Sequence, residues 1–240
     1  METRFEVSTR RGPLWLWGRD TGRPVLLVIS GAFASDDFLV RSQIVHPDVD
    51  VLRTHLPGNH CPVLDEVSMR AYVDAYDEAL GILCAGRVIT VLGASVGGVL
   101  GLGLRCASIG SRVIIEPPLL AAGLWPLHPL REQAPAGSGA FLLNILGIGP
   151  DDEQPVDHSW VLDGLDGAVT VLLGSDPSYP PREVDRVPSL VVPAARMRLE
   201  RHSAITVQVA EGAGHNVPRD APDVMHRAIL RALSLDAARG

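Results

Sequence analysis

One serine in this chain is placed for nucleophilic chemistry. Gly93-Ala94-Ser95-Val96-Gly97 fits G-x-S-x-G, with a β-branched apolar run before it and an apolar, glycine-containing run after it. A serine forced into so tight a strand-to-helix turn has a strained backbone. Its neighbours two positions away must lack bulk so that chains can pass, and its position at a helix N-terminus favours negative charge. A serine hydroxyl is nevertheless a poor nucleophile at neutral pH. It needs a base within hydrogen-bond reach and a third group that fixes the base's tautomer. In a parallel sheet such groups come from loops at the carboxyl ends of strands. Two residues meet that condition: Asp176 in Gly174-Ser175-Asp176-Pro177, and His215 in Gly212-Ala213-Gly214-His215. Both loops directly follow expected strands, and the order along the chain is Ser95, Asp176, His215.

The elements that must position these residues read as follows. Residues 4–10 and 13–17 alternate in polarity around Arg10-Arg11-Gly12-Pro13, which predicts an antiparallel hairpin. Residues 25–29 are continuously apolar, as in a strand covered on both faces, and residues 49–55 form another strand. Ser35 or Asp36 is the expected cap of a helix through Arg41, with Asp37 also a cap residue. Helical period runs over 65–83, with Met69, Val73, Tyr76, Leu80 and Leu83 on one face. The strand and helix around Ser95 follow, the helix reaching Cys106, and then a strand over 112–116 closed by Pro117-Pro118. After a strand at 169–173 come a helix at 194–201, a strand at 205–209 and an amphipathic helix at 221–233. This alternation predicts an α/β fold: a mostly parallel sheet with helices on both faces, in one domain over residues 1–240. Residues 117–168 break the alternation. The segment is proline-rich, too long for an ordinary connection, and expected to be a short lid or cap inserted before the strand at 169–173.

Composition bounds the function classes. Hydrophobic residues make up 46% and charged residues 20%, enough apolar material for a substantial core. The net charge of −7, without a basic block, argues against a nucleic-acid or anionic-membrane partner. The charged, polar N-terminus predicts no signal peptide, and no apolar run is long enough to span a bilayer. Cys61, Cys84 and Cys106 show neither metal nor disulfide spacing, so the expected compartment is the reducing cytoplasm.

Taken together the motifs resemble those of the α/β-hydrolase family over nearly the full chain. Ser30-Gly31-Ala32-Phe33 resembles the family's His-Gly-x-x oxyanion loop, with serine in place of the histidine. His55-Leu56-Pro57-Gly58-Asn59-His60 resembles its Asp-x-Pro-Gly-x-Gly loop, with Asn59-His60-Cys61 replacing the glycine-rich end. Gly93 to Gly97, Gly174 to Asp176 and Gly212 to His215 stand where the family has its nucleophile, acid and histidine loops. The resemblance implies a serine hydrolase that cleaves an ester or thioester of a small, largely apolar substrate through a Ser95 acyl-enzyme. It assigns His215 as base, Asp176 as acid, and the backbone N–H groups of Ala32 and Val96 as the oxyanion hole. Some family members take the acid from the position of Glu116, which makes that residue the alternative. No cofactor and no metal are implied. Lactone opening, acyl transfer or C–C hydrolysis on the same residues, or a non-catalytic ligand-binding protein, are the competing functions. Phe33, Trp125 and Phe141 are expected to contact substrate, with Leu127 and Leu143 beside them, although packing among themselves accounts for them equally well. His55, His60 and Cys61 do not have zinc spacing and read as surface loop residues; His128 and His158 read as solvated. A monomer or homodimer acting on a small molecule is the expected assembly.

Overall fold

The computed structural model describes residues 3–34, 48–180 and 186–238. Eight strands form one sheet: β1 (Thr3–Thr9), β2 (Gly12–Gly18), β3 (Val25–Ile29), β4 (Asp50–Thr54), β5 (Ile89–Ala94), β6 (Ile109–Ile115), β7 (Ala168–Gly174) and β8 (Ile205–Ala210). Their spatial order is β1-β2-β4-β3-β5-β6-β7-β8. The hairpin β1–β2 is antiparallel in register Thr3↔Gly18 to Thr9↔Gly12, and β2 joins β4 antiparallel. Every pairing from β4 to β8 is parallel.

The continuously apolar strands are explained by two cores. Along β3, Val25, Leu27 and Ile29 enter the larger core, while Leu26 and Val28 enter the smaller one on the opposite face. Likewise β5 sends Ile89 and Val91 to one side and Leu92 and Ala94 to the other. With a period of two and both faces covered, such a strand is apolar throughout, save Thr90 of β5, whose buried hydroxyl donates to Asp236 Oδ2 at 2.6 Å. The larger core is closed by helices α1 (Met69–Leu83) and α2 (Val96–Gly103). Between β6 and β7 the short α3 (Leu130–Gln133) packs the partly buried Leu130 against it, and α4 (Gly139–Leu146) adds Phe141, Leu142, Ile145 and Leu146 to it. Helix α5 (Pro193–Arg201) adds Ala195 and Leu199. The smaller core packs under α7 (Pro222–Ala237), which follows the short α6 (Val217–Asp220).

Several element boundaries differ from the sequence expectation: β6 starts at Ile109 rather than 112, and α7 runs to Ala237 rather than 233. Helix α1 begins at Met69 rather than at 65, because Ser68 caps it: its Oγ accepts the Ala71 N–H at 3.1 Å. Helix α2 stops at Gly103, three residues short of Cys106, where Leu104 turns extended. The helix expected through Arg41, with its caps Ser35, Asp36 and Asp37, lies outside the described residues. Among the described residues no helix is long and apolar enough to cross a membrane.

Candidate active site

The strands β3, β5, β6, β7 and β8 end on one side of the sheet, and the candidate residues lie in the loops that leave them. Ser95 follows β5 and sits at φ 54, ψ −124, outside the regions favoured by L-residues. Two close approaches hold it there. A Cβ on Gly97 would stand 2.4 Å from the Ser30 carbonyl oxygen, and one on Gly93 would stand 2.5 Å from the Gly97 carbonyl oxygen. The glycines flanking Ser95 are therefore required by backbone passing backbone. Helix α2 starts at Val96, whose N–H is among the first-turn donors without an intrahelical acceptor. The oxyanion-loop candidate arrives from β3: a Cβ on Gly31 would lie 3.1 Å from Ser95 Cβ, which puts Gly31-Ala32 against the serine.

Positive φ recurs at Phe33 (53°), His60 (57°) and Glu116 (50°), so the described non-glycine residues in this conformation follow β3, β4, β5 and β6. Strain of this kind collects at functional sites, where surrounding structure holds it. Glu116 is the most constrained. It precedes Pro117, a context that favours extended backbone, and it is fully buried. Its Oε1 accepts the Gly174 N–H at 2.7 Å and the Ser189 hydroxyl at 2.8 Å. Its Oε2 accepts the Leu190 N–H at 2.9 Å and lies 3.3 Å from His215 Nδ1.

His215 follows β8 and is anchored by its backbone N–H, which donates to Val187 O at 2.9 Å. The neighbouring Gly214 N–H donates to Asp220 Oδ2 at 3.0 Å. Asp176 lies near this loop, with Oδ2 3.6 Å from Arg186 Nε. Its backbone joins the loops, with Asp176 N–H donating to Ala213 O at 3.0 Å and Asp176 O accepting Ser189 N–H at 2.8 Å. Glu116 is thus a carboxylate in contact with the imidazole. The sequence signal for it was a carboxylate closing a strand before two prolines; the Asp176 loop carried the stronger motif.

Solved structures match this fold over almost the whole chain. The carboxylesterase CesB of Bacillus subtilis aligns with TM-score 0.64 and 15% identity, covering 97% of this chain and 92% of that one. An esterase of Pyrococcus furiosus aligns with TM-score 0.69 and 16% identity, over 98% and 91%. An E-2-(acetamidomethylene)succinate hydrolase aligns with TM-score 0.67 and 16% identity, over 98% and 100%. The chain has the α/β-hydrolase fold. No protein-family model matches it, and no curated protein matches it by sequence.

Within the α/β-hydrolase fold, the segment between β6 and β7 packs on the loop that follows β3. The rings of Phe33 and Phe141 meet edge to face, with centroids 5.3 Å apart and planes at 64°. Trp125 donates its indole N–H to Ser178 O at 3.1 Å, and Tyr179 donates its hydroxyl to Ala122 O at 2.7 Å, tying the segment to the chain after β7. Leu143, by contrast, is exposed and Leu127 half-buried.

Three histidine expectations are revised or refined. His158 is buried, with Nε2 2.8 Å from Ile145 O, because the turn that carries it is folded under α4. A carbonyl only accepts, so the neutral ring carries its proton on Nε2, and burial holds its pKa below the ordinary value. His55 is buried as well: its carbonyl accepts the Tyr76 hydroxyl at 2.8 Å and its ring meets Trp17 edge to face. His128 is half-buried and stands 3.1 Å from Glu153. Burial pushes the Cys61 thiol up to about 11, so at neutral pH it is not a rival nucleophile.

Proposed function

We propose that this chain is a serine hydrolase that cleaves a carboxylic ester or thioester of a small, largely apolar substrate. The observation that carries the reading is the Glu116–His215 contact on the same sheet end as a Ser95 held at positive φ. In this mechanism Ser95 Oγ attacks the carbonyl carbon and passes its proton to His215 Nε2. Glu116, in place of Asp176, accepts the Nδ1–H and stabilises the imidazolium. The N–H groups of Ala32 and Val96 receive the developing oxyanion, a stabilisation worth about 3–4 kcal/mol per donor in comparable sites. The imidazolium returns its proton to the leaving alcohol or thiol, and water repeats the cycle on the acyl-enzyme. No cofactor takes part. Residues 117–168 act as a cap, and Phe33, Trp125 and Phe141 line the acyl side of the pocket.

The likeness to esterases supports this reading through the fold alone, and the bond cleaved is tested directly. A fluorophosphonate probe should label the parent protein at Ser95 and leave Ser95→Ala unlabelled. Ser95→Ala should fold and lose about 10³-fold or more of its turnover on p-nitrophenyl esters. Turnover near the parent's in that variant would remove Ser95 from the mechanism. A panel of esters, acyl-thioesters and lactones of rising chain length then identifies the substrate class.

A further inference from the structure

The acid of the proposed triad is gripped from both sides, and among the described residues only one of its donors other than His215 is a side chain. Gly174 and Leu190 donate backbone N–H groups that any sequence with this fold supplies. The third donor, the Ser189 hydroxyl, is a choice of sequence. It is buried and lies 2.8 Å from Glu116 Oε1. Its oxygen in turn accepts the Val191 N–H at 3.3 Å, which leaves its proton directed to the carboxylate. Residues 187–190 also reach the rest of the site: Val187 O accepts the His215 N–H at 2.9 Å, and Ser189 N–H donates to Asp176 O at 2.8 Å.

We infer that Ser189 is a positioning residue for catalysis: its hydroxyl fixes the plane of the Glu116 carboxylate so that Oε2 faces His215 Nδ1. Backbone N–H groups hold one contact on each oxygen, Gly174 on Oε1 and Leu190 on Oε2. The hydroxyl is a second donor on Oε1, which narrows the rotation left about the last side-chain bond and keeps Oε2 toward the imidazole. This inference rests on Glu116 being the acid.

The test is steady-state kinetics on p-nitrophenyl acetate with Ser189→Ala and Ser189→Thr, each made in the parent and in Glu116→Gln. Charge-assisted hydrogen bonds set the expectation that Ser189→Ala lowers kcat about tenfold while KM changes less than about twofold. Ser189→Thr, which keeps the hydroxyl, should recover most of the loss. In the Glu116→Gln background Ser189→Ala should cost less than about twofold, since its effect passes through the acid. Equal losses in both backgrounds, or an unchanged kcat in Ser189→Ala, would overturn the inference. Should Ser189→Ala fail to fold by circular dichroism, Ser189→Cys, similar in size but a weaker donor, takes its place. A folded Cys variant with the parent's kcat would equally overturn it. A Glu116→Gln enzyme with the parent's kcat is a separate outcome: it removes the acid assignment itself, and the role of Ser189 with it.

Discussion

Holding an imidazole by its Nδ1 requires a carboxylate that does not swing, and the two candidates differ in that respect. Glu116 is fully buried, strained at φ 50, and bonded at both oxygens. Asp176 has a partly exposed carboxylate 3.6 Å from Arg186 Nε, and its backbone joins the loops. Glu116→Gln should therefore depress kcat by about 10³-fold or more, as loss of the tautomer-fixing acid does elsewhere. Asp176→Asn should stay within about tenfold of the parent, the scale of a weak, solvent-screened ion pair. Side-by-side kcat values on one activated ester decide it. The opposite ranking returns the acid to Asp176 and leaves Ser95 and His215 in their roles.

The elements around the site divide into those that hold it and one that shapes it. Strand β5, the turn at Ser95 and helix α2 form a unit whose backbone contacts allow no Cβ at Gly93 or Gly97. Helix α4 belongs to the second kind. Its Phe141 fills the larger core, and its ring edge meets Phe33, two residues beyond Gly31 in the loop after β3. Phe141→Ala should move the preferred p-nitrophenyl ester toward longer acyl chains while fluorophosphonate labelling of Ser95 persists. The same variant should lose about 3–5 kcal/mol of stability, the usual cost of emptying a buried phenylalanine site. Should its chain-length profile match the parent's, Phe141 is core packing and the acyl pocket lies elsewhere.

Across the whole molecule, a few buried polar groups bind distant parts of the chain together. The Arg112 guanidinium is fully buried and donates to Gly101 O, Leu104 O and Asp166 O, joining the end of α2 to the chain entering β7. Desolvation lowers its pKa to about 10, still charged at neutral pH. His158 is the group that responds nearer neutrality. Burial lowers its folded-state pKa below the ordinary 6.5, although the bond to Ile145 O opposes the shift. The unfolded chain then binds the extra proton more readily, so stability is present above 6.5 and is lost as pH falls from there toward the folded value. Thermal melts at about pH 8 and about pH 5.5 should show a smaller drop in His158→Gln than in the parent. An equal drop in both proteins would place the acid sensitivity in other groups.

The sequence by itself determined the strands, the turn at Ser95 and the alternating order of the sheet, because these are local. Hydrophobic period, β-branched runs and flanking glycines act over a few residues, and in β3 and β5 they left no alternative to burial on both faces. The pairing at His215 is different in kind. Glu116 meets His215 across 99 positions and Ser189 across 73, and no spacing rule relates residues so far apart. The loop motif at Asp176 was legible and its direction was not, because a turn fixes the backbone and leaves the carboxylate to its neighbours. His158 shows the same division: its polarity predicted solvent, and the fold placed Ile145 O where its ring N–H needed an acceptor. What only the tertiary structure decided is that Glu116 reaches the imidazole, since that depends on β6 lying beside β7 and on residues 187–190 bonding to Glu116, Asp176 and His215 in the loops beyond them.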